Sequence, residues 1–142
     1  MTFFVDANVP IYAAAGSGEH GEACSKVMRA VAAGADGRAS TAVLEEVWHV
    51  ELARLAGSAD GLAARALAVF SPLLTVTEEV IRAALDLEAP ALGANDRIHV
   101  ATSVANGIET IVSADAGFDS LAAVRRVDPL DGDALAALLR LT

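Results

Sequence analysis

Four acidic positions in this chain stand where carboxylates could work together. Asp6 ends the apolar run Phe3–Val5, and the pair Glu45 and Glu46 lies in the first turns of "TAVLEEVWHV". Asp96 opens "NDRIHVATSVANG", and Asp115 follows "TIVS". Each has an ordinary reading. Asp6 can end a strand or cap a helix, Asp96 suits a helix N-terminus, Asp115 suits a turn, and Glu45 and Glu46 suit a solvated helix start. Read together, they sit in apolar contexts and point at one edge of the predicted sheet. Clustered carboxylates raise one another's pKa, and divalent cations are the usual compensation. Oxygen-rich ligands without sulfur and almost without histidine suit Mg²⁺ or Mn²⁺. Two such ions about 4 Å apart supply a nucleophile and stabilise the leaving oxygen of a phosphodiester.

The elements that would position these acids can be read from periodicity and punctuation. "FFV" reads as a buried strand, and "VPIYAAA" as a helix with Asn8 as N-cap and Pro10 in its first turn. "GEACSKVMRAVAAG" is a helix that stops at Gly34, and Arg38–Ser40 is a short strand. The next helix starts at Ser40 or Thr41 and runs to Gly57, with Leu44, Val47, Trp48, Leu52 and Leu55 as its core stripe. "SADGLAARALAVF" is a helix capped near Ser58 or Asp60, and "LLTVT" is a strand. "EEVIRAALDLEA" is a helix, and the helix after it starts at Asn95 or Asp96 and stops at Gly107. "IETIVS" and "VRRVDP" are strands, and "DGDALAALLRL" is the last helix. This alternation predicts an α/β fold with a mostly parallel sheet of about four to five strands and helices on both faces. Ligands of such sheets collect at the carboxyl ends of the strands, where Asp6 and Asp115 fall.

Composition narrows the class. The 142 residues fit one domain, spanning 1–142, and 54% hydrophobic content is too apolar for disorder. No run is long enough for a membrane span, and "MTFFVDANVP" lacks the basic start and long apolar core of a secretory signal. Cys24 is the only cysteine, which excludes an intrachain disulfide and a Cys₄ or Cys₂His₂ zinc site, and agrees with a cytoplasmic location. A net charge of −9 has the wrong sign for a nucleic-acid binder, unless bound cations reverse the sign locally.

These motifs resemble a PIN domain over nearly the whole chain. "FFVDANVPIYA" is similar to the family's strand followed by D-x-N, and "STAVLEEVWHV" to its S-T-x-V-L-x-E. "NDRIHVATSVANG" resembles the third motif, and "TIVSADAGFDSL" the fourth, [TS]-x-D-x-x-F. The size and motif order look like a VapC-type toxin. The resemblance implies an α/β/α sandwich and a Mg²⁺- or Mn²⁺-dependent endoribonuclease, with one or two ions per site. It also implies a type II toxin–antitoxin pair: an RNA substrate, a cognate antitoxin that holds the toxin inactive, and a homodimer. By match, the acidic set is Asp6, Glu46, Asp96 and Asp115. Glu45 and Glu46 lie about 100° apart on a helix, and periodicity does not choose between them; the family pattern selects Glu46. Asp119 is a fifth acid of the candidate metal set, either supporting the ligand carboxylates from behind or lying on the helix surface. Asn8 and Ser113 are supporting groups that hydrogen-bond a carboxylate or cap a turn, and Ser113 stands where Thr is commoner. Arg97, Arg38, Arg125 and Arg126 are candidates for phosphate contact, each with a plain reading as surface charge. An antitoxin's basic tail would enter the acidic groove, and its apolar helix would lie along the Trp48–Phe70 hairpin. His49, His99, Trp48 and Tyr12 read better as packed residues than as catalytic ones.

Two phosphoryl-transfer classes with acids at strand ends fit poorly. A receiver domain needs an acidic pair near its first strand and a late lysine, but Asp6 is single and the sole lysine is Lys26. A haloacid-dehalogenase-type phosphatase needs D-x-D, and the chain has "DAN". A stand-alone PIN nuclease and a catalytically weak RNA- or protein-binding module are the remaining alternatives.

Overall fold

The computed structural model describes residues 1–16, 18–57 and 59–140. Four strands form one parallel sheet: β1 (Phe3–Val5), β2 (Gly37–Arg38), β3 (Thr110–Val112) and β4 (Arg125–Val127), in the order β2-β1-β3-β4. Seven α-helices connect and flank them: α1 (Asn8–Ala15), α2 (Gly18–Ala32), α3 (Thr41–Leu52), α4 (Leu62–Phe70), α5 (Glu78–Leu85), α6 (Ala94–Ala105) and α7 (Gly132–Arg140). A 3₁₀ helix (Ala116–Ser120) lies between β3 and β4. The path from β1 to β2 steps one way across the sheet, and the path from β2 to β3 steps back over β1. Right-handed crossovers therefore put the two connections on opposite faces.

The α/β architecture with a parallel sheet is as expected; the sheet has four strands. Phe3, Phe4, Val5, Ile111 and Val112 are fully buried, because β1 and β3 are covered on both faces. "LLTVT" forms no strand. It reduces to one bridge, Ser40 to Leu74, since β2 is only two residues long and Leu74 is the one buried residue of this segment.

Helix α3 departs from expectation in two ways. It ends at Leu52 rather than Gly57, with Arg54 in the left-handed region at φ 56°. Glu51 then caps α4: its carboxylate accepts from the Gly61 and Ala63 N–H groups at 3.0 and 2.8 Å. Gly61, not Asp60, is the N-cap of α4, and Ser58 lies outside the described residues. The core stripe is rotated by one residue. Val43 and Val47 are buried, whereas Trp48, Leu52 and Leu55 are 56%, 69% and 71% exposed. Trp48 is thus a surface residue. Apolar residues occupy two adjacent faces of this helix, so periodicity alone could not say which one packs.

β2 approaches β1 closely only because residue 37 is glycine. A Cβ there would lie 2.5 Å from Val31 Cγ2 and 2.8 Å from Phe3 Cε2. Gly37→Ala should therefore destabilise the fold by roughly 1–3 kcal/mol, the usual cost of overpacking a filled core. The measurement is a lowered urea midpoint at unchanged m-value. A wild-type midpoint would show that Phe3 and Val31 yield without cost.

Candidate active site

The register of the two central strands builds the first part of the site. Phe4 pairs with Ile111 and Val5 with Val112, so the next residues, Asp6 and Ser113, leave the sheet side by side. Asp6 is 4% exposed. Its Oδ1 accepts from the Ala7 N–H at 2.7 Å, and its Oδ2 accepts from Ser113 Oγ at 2.7 Å and Asn8 Nδ2 at 3.1 Å. The Asn8 amide also donates to Ser113 Oγ, and its Oδ1 accepts from the Ala114 N–H. Asn8 is consequently not an N-cap. It is the first residue of α1, after Ala7, and its side chain reaches across to the end of β3.

Glu46 arrives from α3, whose start is fixed by Ser40 Oγ accepting from the Val43 N–H. Glu45 faces solvent and Glu46 faces inward, its side chain 23% exposed. His99 Nε2 lies 2.7 Å from Glu46 Oε1 and 3.7 Å from Asp6 Oδ1. One donor atom from each of Asp6, Glu46 and His99 falls within 4.8 Å of the others. His99 was read as a packed residue, and it is packed, but it also touches two acids of the set. The available signal was its place on α6, three residues after Asp96 and so on the same side of the helix.

Asp96 lies in the first turn of α6, whose N-cap is Gly93 rather than Asn95 or Asp96. Burial pushes its carboxyl up to about 6, and the charges of Asp6, Asp115 and Glu46 push the same way. Burial is also the main cause that raises the Asp6 carboxyl, against the lowering pull of His99 and the Ser113 hydrogen bond. Burial disfavours the charged imidazole of His99 most strongly. The Glu46 hydrogen bond and the charges of Asp6, Glu46 and Asp96 together outweigh it, and the net shift is upward. Asp115 is exposed and caps the 3₁₀ helix, with Oδ1 accepting from the Gly117 N–H at 2.8 Å and its own N–H donating to Ser113 Oγ at 3.0 Å. Glycine at 117 leaves room here, since a Cβ would lie 3.1 Å from both Asp115 Oδ1 and Leu92 Cδ2.

The other singled-out residues are placed elsewhere. Asp119 pairs with Arg126 through two hydrogen bonds of 2.9 and 3.0 Å. Arg126 also meets Asp128 and donates to the Ser113 carbonyl, so it braces the end of β3 and is not a free phosphate contact. Arg97 donates to the carbonyls of Leu87, Ala89 and Leu92, which ties down the segment before α6. Arg125 starts β4, at the opposite end of the sheet from the acids, and Arg38 donates to the Pro72 carbonyl. His49 is exposed, and Tyr12, 39% exposed, lies against the His20 ring.

The donor set fits a hard divalent cation. It offers several carboxylate oxygens and one imidazole nitrogen, with no sulfur. Among the described residues, no lysine or arginine pairs with Asp6, Glu46, Asp96 or Asp115. Among the described residues, the pocket's negative charge is opposed by His99, by the Ser113 and Asn8 donors to Asp6 and by backbone N–H groups.

A pH dependence follows for the metal-free protein. Asp96 binds its proton more tightly folded than unfolded, so its contribution is complete below about pH 4 and is lost as pH rises through 6. His99, also raised, contributes fully below its ordinary value and loses that contribution as pH rises through the folded value. The melting temperature in chelator should fall by a few degrees from pH 5 to pH 8. Asp96→Asn should melt higher than wild type at pH 8 without metal. A flat or rising profile in thermal melts would refute this electrostatic account.

The family model described as PIN domain matches residues 3–124. No curated protein sequence matches the chain. A similar solved structure is a chain of the crystal structure of VapBC2 from Rickettsia felis bound to a DNA fragment from their promoter, with TM-score 0.67 and 15% identity over 90% of this chain and 98% of that one. At that identity the likeness is one of fold. With the family model matched over most of its length, the chain belongs to the PIN domain family.

Proposed function

We propose that this protein is a metal-dependent endoribonuclease, the toxin of a type II toxin–antitoxin pair, which hydrolyses RNA phosphodiester bonds. The observation that carries the reading is the buried Asp6 carboxylate facing Glu46, with Asp96 pushed up to about 6 by burial and by its acidic neighbours. An uncompensated acid cluster costs stability in the absence of cations. Asp6, Glu46, Asp96 and Asp115 would hold Mg²⁺ or Mn²⁺. A divalent ion there would supply Lewis-acid stabilisation of phosphate charge and a nucleophile at neutral pH. Ser113, Asn8 and the Ala7 N–H fix the Asp6 carboxylate in one orientation. Arg126, held by Asp119 and Asp128, steadies the strand end from which Ser113 and Asp115 project.

Membership of the PIN family supports the nuclease, and the VapBC2 neighbour supports a VapC-like protein with an antitoxin partner. The exposed Trp48, Leu52 and Leu55 of the α3 end and Leu67 of α4 give an apolar surface for protein association, suited to an antitoxin helix or to the partner of a homodimer. Among the described residues, no helix is long and apolar enough to cross a membrane.

The test is cleavage of RNA by the purified chain with Mg²⁺ or Mn²⁺, against Asp6→Asn and Asp96→Asn. Either substitution should lower the rate by more than the roughly 10–100-fold typical of losing a residue outside the ligand set. Equal cleavage in chelator or by the variants would sink the assignment. Stabilisation by Mn²⁺ without cleavage of any RNA would favour the binding module instead.

A further inference from the structure

We infer that His99 is a positioning residue for Glu46, holding that carboxylate against Asp6 by an Nε2–H donor rather than ligating an ion itself. The inference rests on the nuclease reading of the same pocket. The ring is fully buried, and its Nε2 reaches the partly exposed Glu46 carboxylate. Its Nε2 makes one hydrogen bond, to Glu46 Oε1 at 2.7 Å; the 3.7 Å to Asp6 Oδ1 exceeds hydrogen-bond length.

The other ring nitrogen decides between ligand and positioner. Nδ1 of His99 is buried with no hydrogen-bond partner among the described residues. Imidazoles that bind metals almost always donate their second N–H to an outer acceptor, which fixes the tautomer and leaves the first nitrogen's lone pair free. Ligation through Nε2 would place the hydrogen on Nδ1 and leave a buried donor unpaired, a costly state. A hydrogen on Nε2, in the neutral ring or in the imidazolium, satisfies Glu46 and leaves Nε2 no lone pair to offer an ion.

The ring is held in place by Phe4, 5.5 Å away between centroids. Phe4 is two residues before Asp6 on β1. His99 therefore refers the position of Glu46, carried by a different helix, to the strand that carries Asp6. Glu46 is long, partly exposed and rotamer-rich, and without this bond its carboxylate is free to turn to solvent.

The experiment compares Mn²⁺ binding by calorimetry in wild type, His99→Phe, His99→Gln, Glu46→Ala and the Glu46→Ala/His99→Phe double variant, each checked for a cooperative melt. His99→Phe keeps the ring volume and should weaken Mn²⁺ by about 10–100-fold. Gln places an amide donor near the site of Nε2 and should recover most of that loss. In the Glu46→Ala background, His99→Phe should add nothing. An equal loss in that background, or no rescue by Gln, overturns the proposal in favour of direct ligation or simple packing. A second reading needs no metal and no His99 variant. Nitrogen-15 NMR of the metal-free protein should show a slowly exchanging Nε2–H that is lost in Glu46→Ala, and its absence from wild type overturns the proposal. A protected Nε2–H in a wild-type protein that takes up no Mn²⁺ would instead overturn the functional reading while the hydrogen bond stands.

Discussion

A carboxylate at the end of a central strand, removed from water, is tolerated only when donors replace the lost hydration. Asp6 meets that condition through the Ala7 N–H, Ser113 Oγ and Asn8 Nδ2. None of these is a matter of composition alone. Ser113 is beside Asp6 because Val5 pairs with Val112, and a one-residue slip of β3 would bring Val112 or Ala114 there instead. The slip would also turn a buried strand's side chains to the wrong face. The register that buries Ile111 and Val112 is thus the same constraint that makes Asp6 possible, and the rest of the site is arranged around that one group.

The acids beyond Asp6 are less well compensated. Asp96 gains from the positive end of α6, yet burial and three neighbouring carboxylates still raise it. Arginines stand in the same region without pairing with the acids of the pocket. Arg97 is turned to three backbone carbonyls, and Arg126 to Asp119, Asp128 and the Ser113 carbonyl. These cations shape the walls while the pocket keeps its negative potential, an arrangement that favours a mobile cation over a fixed one. The net charge of −9 raised the question of how such a protein could face a polyanion. Part of that charge is concentrated where divalent ions would offset it.

Legibility in the sequence followed locality. The β1 and β3 strands and the α1 and α6 helices were readable because each signal lies within a few residues, such as the apolar triplet before Asp6, whereas no local signal chose Glu46 over Glu45. The missing strand at Leu73–Thr77 was not readable, since whether that segment pairs depends on how short β2 is. The rotation of α3 was hidden because Leu44, Trp48 and Leu52 form as regular a series as Val43 and Val47. Two side chains that bond across loops were invisible for a similar reason. Glu51 capping α4 spans a turn of no regular form, and Arg97 binding its own upstream loop looks in sequence like a charge beside Asp96. His99 carried a faint signal, its spacing from Asp96. Which atom it would meet depended on the distant Glu46.

Asp6, Glu46, Asp96 and Asp115 are delivered by the end of β1, α3, α6 and the turn after β3. No fragment of the chain contains the set, and no pair of consecutive elements does. The charges come together only when both crossovers have closed over the sheet, after the loop entropy of non-local pairing has already been overcome. The hydrophobic register must therefore supply the stability first, through fully buried residues such as Phe3, Phe4, Ile111 and Val112. Electrostatic repulsion in the pocket then acts on a structure that is already determined. The acids lie beside apolar strand ends and a tilted Phe4–His99 ring contact rather than beside compensating lysines. Fixed cations would relieve the repulsion among the acids and, by the same interaction, lessen the negative potential on which the proposed metal binding depends.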